Sequence, residues 1–166
     1  MLDAKKREAF ASLTSLFKPK TNQTKASLRP PYATKQESFE TICLQCEEKP
    51  CISACEEDII VLDAQNLPSL VFTKSGCTFC KKCALACPLG VLDEQADANI
   101  GASFKIDTQS CIAWKNVICN SCADVCDVKA IRFFGLLRPL LEASACTHCG
   151  FCYGVCPTNA IQYRID

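Results

Sequence analysis

The sequence is poor in most of what an enzyme is built from. It holds one histidine, His148, in 166 residues. It contains no Gly-rich phosphate loop, no Ser/His/Asp set and no paired carboxylates in a recognisable frame. Turnover of a small molecule therefore has no visible machinery, and the chain is expected not to be an enzyme. No run of about 18 apolar residues exists, which excludes a membrane-spanning helix of ordinary length. Met1 to Arg7 is charged, yet neither an apolar signal core nor a small-residue cleavage site follows. Lys5-Lys6-Arg7 also lacks the paired arginines and apolar run of a twin-arginine signal. These absences predict a protein that stays in a reducing cytoplasm. Charge of neither sign is in excess, with 18 basic and 18 acidic residues, and no basic stripe offers itself to nucleic acid. Apart from cysteine, apolar residues are few and scattered, so a conventional core is expected to be weak.

What is there is cysteine. Sixteen of them fall into four rows of four. Cys146, Cys149, Cys152 and Cys156, followed by Pro157, are spaced C-x2-C-x2-C-x3-C-P. Cys77, Cys80, Cys83 and Cys87, followed by Pro88, repeat that spacing. Cys43, Cys46, Cys51 and Cys55 read C-x2-C-x4-C-x3-C, and Cys111, Cys119, Cys122 and Cys126 read C-x7-C-x2-C-x3-C.

The strict spacing is that of the bacterial run that holds a [4Fe–4S] cluster. Three thiolates close in sequence wrap one side of a cubane, and the fourth iron is reached from elsewhere. In two-cluster proteins the fourth cysteine of a row crosses to the other cluster. The proline after it turns the chain away. All 16 cysteines are therefore expected to be ligands of four [4Fe–4S] clusters. The crossed rule groups Cys43, Cys46, Cys51 with Cys87, and Cys77, Cys80, Cys83 with Cys55. It likewise groups Cys111, Cys119, Cys122 with Cys156, and Cys146, Cys149, Cys152 with Cys126. The rival is structural zinc, whose ribbons space two C-x2-C pairs a dozen or more residues apart. Here the third and fourth cysteines follow too soon, and the C-x3-C-P end has no use in a ribbon. Sixteen thiolates and four cores of about +2 would add roughly −8 to a formally neutral chain. The long loops of the irregular rows predict clusters that are exposed and labile, or lower in occupancy.

The rows organise the rest of the chain. Residues 1–17 carry Phe10, Leu13, Leu16 and Phe17 at helical spacing, which predicts an amphipathic helix. It either packs on the protein's own surface or docks a partner. Residues 18–25 are polar with Pro19 and read as a flexible linker. Leu28-Arg29-Pro30-Pro31-Tyr32 reads as an extended connector. A first unit is expected over residues 39–92, with strand candidates at 58–62 and 69–72 between its two rows. Residues 93–103 are small and polar and mark a boundary. A second unit is expected over residues 104–166, with strand candidates at 104–107, 130–134 and 160–165. Cys77 to Cys146 and Cys87 to Cys156 both span 69 residues, so the chain reads as an internal duplication. The expected fold class is α+β: tandem two-[4Fe–4S] ferredoxin-like units with short β-hairpins and small helices, preceded over residues 1–38 by the N-terminal helix and linker.

A few single residues stand out. Gly150 lies between row-four ligands, where a close backbone approach to cluster sulfur is expected. Lys81 and Lys82 sit at the matching place in row two, for solvation or for an acidic partner. His148 is expected beside the cluster or at the surface, since a side-chain ligand there would break the cysteine pattern. Trp114, in the long loop of row three, is expected to shield that cluster.

Three segments carry a family resemblance. Leu28-Arg29-Pro30-Pro31-Tyr32-Ala33 looks like the R-P-P-aromatic entry of the NapF family, ferredoxin-type proteins of periplasmic nitrate reductase operons. Cys111 to Trp114 and Cys119 to Phe133 are close to that family's unusual C-x7-C-x2-C-x3-C row. Row four, with Pro157 and Ala160-Ile161, is similar as well. The resemblance covers about residues 28–166. Row one departs from it, because the family's strict spacing is replaced by one more like the electron-wire subunits of molybdenum oxidoreductases. The resemblance implies a cytoplasmic iron–sulfur protein that meets the catalytic subunit of the periplasmic nitrate reductase before export. It would help mature that subunit by delivering electrons or clusters, with a redox partner protein and without turning over nitrate. Row one leaves open a second role, as an electron-transfer subunit of a larger molybdenum oxidoreductase.

Overall fold

The structure, a computed structural model, describes residues 27–35 and 37–166. The helix and linker expected over residues 1–25 lie outside the described residues. Secondary structure is α+β in small pieces: helices of four or five residues, and strands of three to five.

One local device recurs. Three residues after the last cysteine of each row stands a left-handed residue: Asp58, Gly90, Lys129 and Asn159, with φ of +52°, +64°, +50° and +52°. The next residue, Ile59, Val91, Ala130 or Ala160, is buried every time. The turn redirects the chain into the core after each short helix. Gly90 adopts it freely, whereas a side chain there costs about 1–2 kcal/mol.

Two hairpins follow rows one and three. β1 (Ile60–Leu62) pairs antiparallel with β2 (Pro68–Leu70), Ile60 opposite Leu70. Asp63 holds its turn, accepting the N–H groups of Gln65 and Leu67 at 2.9 and 3.0 Å. β4 (Ile131–Phe134) pairs with β5 (Arg138–Leu141) around Gly135, which has φ +68°. A third pair joins distant segments: β3 (Ala102–Ile106) lies antiparallel to β6 (Ile161–Ile165), Ala102 opposite Ile165. β3 thus begins inside the stretch read as a polar boundary, where Ile100 and Ala102 are buried.

The first half has a reduced counterpart of the β3–β6 pair. A single bridge joins Ala33 to Leu92. Thr34 N–H donates to the Val91 carbonyl at 3.0 Å, and Asp93 N–H to that of Tyr32 at 2.9 Å. The segment read as a simple connector is therefore part of the first half's packing. Leu28, Pro30, Pro31 and Tyr32 are buried, and Leu70 N–H donates to the Leu28 carbonyl at 2.8 Å. Arg29 Nη1 donates to Asp63 Oδ2 at 2.7 Å and to the Pro68 carbonyl at 3.0 Å, and its guanidinium lies over the Phe39 ring. The two prolines have no N–H to leave unpaired, so they can be buried beside the sheet without that penalty.

The core is better developed than composition suggests. One apolar cluster runs from Leu28, Phe39 and Val91 in the first half to Phe104, Ile131 and Ile161 in the second. Phe72 is its keystone between the halves. Its ring meets Phe104 and Tyr163 edge-on, centroids 5.7 and 6.1 Å apart. Such pairs add about 0.5–1.5 kcal/mol beyond their burial. At the same seam, Cys77 N–H donates to the Cys149 carbonyl at 2.7 Å.

Candidate metal centres

The third cysteine of every row is the second residue of a four-residue helix. These helices are α2 (Pro50–Ser53), α3 (Lys82–Leu85), α4 (Ser121–Asp124) and α5 (Phe151–Gly154), after α1 (Glu37–Thr41). They carry Cys51, Cys83, Cys122 and Cys152 respectively. α2 packs against α3, and α4 against α5. The fourth cysteine of one row is thereby carried to the first three of the other.

Four cavities result. Cys43, Cys46, Cys51 and Cys87 line the first. Cys55, Cys77, Cys80 and Cys83 line the second. Cys126, Cys146, Cys149 and Cys152 line the third, and Cys111, Cys119, Cys122 and Cys156 the fourth. Each is open in part to solvent. None of the cysteines is in a disulfide. Among the described residues, no three His, Cys, Asp or Glu side chains converge tightly enough to hold a single metal ion. Sulfurs standing apart around a cavity suit a body of several atoms rather than one zinc.

Backbone amides point at these sulfurs in a repeated pattern. Phe79 N–H donates to Cys77 Sγ and His148 N–H to Cys146 Sγ, both at 3.4 Å. Phe79 and His148 occupy the same left-handed position, before the second cysteine of their rows. After the fourth cysteines, Ala130 N–H donates to Cys126 Sγ at 3.3 Å and Ala160 N–H to Cys156 Sγ at 3.1 Å. Leu92 N–H reaches Cys87 Sγ at 3.5 Å. Such donors favour a thiolate over a thiol.

Without metal, burial works the other way. It pushes the Cys83 and Cys152 thiols up to about 12, with the charges of neighbouring cysteines adding to it. Burial likewise raises Cys51, Cys77 and Cys122 to about 11. Cys156 is the exception. Burial raises it too, but the N–H groups of Thr158, Ala160 and Ile161 outweigh that and hold it below the ordinary thiol value. A metal held by the raised thiols would have to displace their protons.

The structure gives the singled-out residues specific neighbours. The irregular rows are not the exposed ones: Cys43, Cys51, Cys111 and Cys122 are buried, while Cys80 of the strict second row is the exposed cysteine. Of the residues between Cys46 and Cys51, Lys49 folds inward, while Glu47 and Glu48 stay exposed. Lys49 is left-handed and buried, and its Nζ donates to the Cys46 carbonyl at 2.9 Å beside the first cavity. Gly150 has φ +87° and lines the third cavity, and the space left by its missing side chain is filled by Phe72 from the other half. Lys81 lies over the Tyr32 ring, and Lys82 pairs with Glu56 at the surface. His148 contributes its backbone N–H. Trp114 Nε1 donates to the Pro139 carbonyl at 3.1 Å, with Arg138 over its ring, which ties the row-three loop to β5 above the fourth cavity.

Tyr32 is a contributor that its sequence context does not announce. It roofs the second cavity, and its hydroxyl donates to the Phe79 carbonyl at 2.8 Å. Its only signal in the sequence is the aromatic that closes the R-P-P segment.

The 4Fe-4S binding domain family matches residues 140–162, which include Cys146, Cys149, Cys152 and Cys156. The chain is similar to ferredoxin-type protein NapF of Escherichia coli (strain K12), 33% identical over 91% of this chain and 93% of the relative. It is similar to ferredoxin-type protein NapF of Haemophilus influenzae, 34% identical over 93% of this chain and 88% of the relative. It is also similar to the methylamine utilization ferredoxin-type protein MauM of Methylorubrum extorquens, 26% identical over 95% of this chain and 80% of the relative. These matches establish an iron–sulfur, ferredoxin-type protein that binds 4Fe–4S metal centres and serves electron transport.

Proposed function

Because the chain belongs to the NapF family of ferredoxin-type proteins, we propose that it is a tandem pair of two-cluster units holding four [4Fe–4S] clusters. It acts in the cytoplasm on the catalytic subunit of the periplasmic nitrate reductase before export, delivering electrons or clusters to mature it. The observation that carries this reading is the sorting of 16 thiols into four cavities of four. The crossed groups of Cys43 and Cys77 would be one unit's ligands, and those of Cys111 and Cys146 the other's. Bound there, a cluster supplies one-electron chemistry.

The chain's own residues orient and protect. The short helices hold the third thiolate of each set. Amides of Phe79, His148, Ala130 and Ala160 donate to sulfur and favour its charged form. Tyr32 lines the second cavity, and the Trp114 hydrogen bond holds Pro139 in the lining of the fourth. Among the described residues no helix is long and apolar enough to cross a membrane, which fits a partner met in solution.

A second reading, an electron-transfer subunit of a larger molybdenum oxidoreductase, is favoured by the C-x2-C-x4-C-x3-C spacing of row one. Anaerobic purification followed by capture with the unexported catalytic subunit separates the two. Maturation predicts about 16 irons per chain, transient binding to the precursor, and a precursor poor in iron when this chain is deleted. Failure to bind, with unchanged cluster content in the precursor, would overturn it. Stable co-purification with a catalytic chain would favour the second reading.

A further inference from the structure

The two halves meet at their cysteine rows. Cys77 N–H donates to the Cys149 carbonyl at 2.7 Å, so a residue of the second cavity is bonded to a residue of the third. The backbones come this close because side chains are missing where they meet. A Cβ on Gly76 would strike the Phe151 backbone nitrogen and stand 2.7 Å from the Cys149 oxygen. A Cβ on Gly154 would stand 2.7 Å from the Thr73 oxygen, and one on Gly150 would enter the Phe72 ring. Within each half a helix contact joins the remaining cavities. α2, carrying Cys51, packs on α3, carrying Cys83; α4, carrying Cys122, packs on α5, carrying Cys152.

We infer that the four cavities form one line rather than two separate pairs, joined at the Cys77–Cys149 contact. The Cys43 and Cys111 groups stand at the ends. Gly76, Gly150 and Gly154 are positioning residues, which set how near the two inner groups lie. The inference rests on the reading of the cavities as cluster sites.

Electron paramagnetic resonance of the fully reduced, full-length protein tests it. Magnetic interaction between two reduced clusters splits their signals and fades steeply with distance. In a C51A/C122A variant only the two inner sites, one from each half, should stay loaded, with about 8 irons per chain. Their signals should still be split. Two unsplit signals would overturn the line. Gly76→Ala should keep about 16 irons and lose most of the splitting between the inner sites. Unchanged splitting in that variant would overturn the spacing role. Should Gly76→Ala fail to fold, the C51A/C122A spectrum still decides the order. A colourless, iron-free parent protein would remove the cluster reading itself. Full iron with unsplit inner signals removes only the inference.

Discussion

Arg29→Met would test whether the R-P-P segment is a working part of the first half. The methionine keeps most of the apolar stem over Phe39 and removes the guanidinium. Two hydrogen bonds are lost, to Asp63 Oδ2 at 2.7 Å and to the Pro68 carbonyl at 3.0 Å. Both side chains of the ion pair are largely buried, at 12% and 8% exposure. Breaking a fully buried pair costs about 3–5 kcal/mol. Here Asp63 retains the N–H groups of Gln65 and Leu67, so about 2 kcal/mol is the better figure. That corresponds to roughly 30-fold more local opening. Amide hydrogen exchange reads it directly. Protection should fall about 30-fold at Leu70, Thr34 and Asp93, whose N–H groups tie residues 28–34 to the first half. It should stay unchanged at Asp107, which donates to Ala160 in the second half. The pH dependence has a definite sign. Burial raises the Asp63 carboxyl, but hydrogen bonds from Leu67, Arg29 and Gln65 bring it below its ordinary 3.8. Its contribution is therefore complete above that value and is lost only as pH falls through the lower folded value. The difference between wild type and variant should be flat from about pH 6 to 8. Equal protection in both proteins, or a loss spread evenly over both halves, would refute the argument.

Two other perturbations follow from the cavities. Lys49→Met removes a buried cation beside the Cys43 group and should lower that site's potential alone, by about 1 kcal/mol or ~40 mV for one electron; potentiometric titration with four resolved signals checks it, and a uniform or upward shift would contradict it. The iron-free chain should weaken in alkali. Its buried thiols, raised by burial to about 11–12 at Cys51, Cys77, Cys83, Cys122 and Cys152, keep protons that the unfolded chain releases near 9. The stability they contribute is full below 9 and is lost as pH rises towards 12. Urea midpoints of anaerobic, iron-free protein should fall over that range, and midpoints that rise would refute it.

The cysteines that line each cavity are the ones the crossed spacing rule groups, because short spacings keep three of them near one another in the chain. β1, β4 and β6 were also legible, from apolar runs directly after the rows. What could not be read is long-range. β3 pairs with β6 across two intervening rows, and no periodicity announces a partner so distant. β5 hides its strand character behind Arg138 and Pro139. The packing role of residues 28–34 depends on Asp63 and Val91, which lie far along the chain. Gly76 carries no motif, and its importance appears only when the Phe151 backbone is seen against it. The Phe72 ring against Gly150 is likewise invisible in the sequence, since a missing Cβ does not say which atom fills its place.

The prolines at the strand edges bear on the protein's life before any iron arrives. A two-stranded ribbon has edges that a neighbouring chain could pair with, and here Leu28 already takes the Leu70 N–H of β2. β2 begins with Pro68, β5 carries Pro139, and the bridge at Ala33 follows Pro30 and Pro31. Each proline deletes a donor that an intruding strand would need. A chain whose cysteine groups are still empty thus offers an intruding strand fewer donors along these segments.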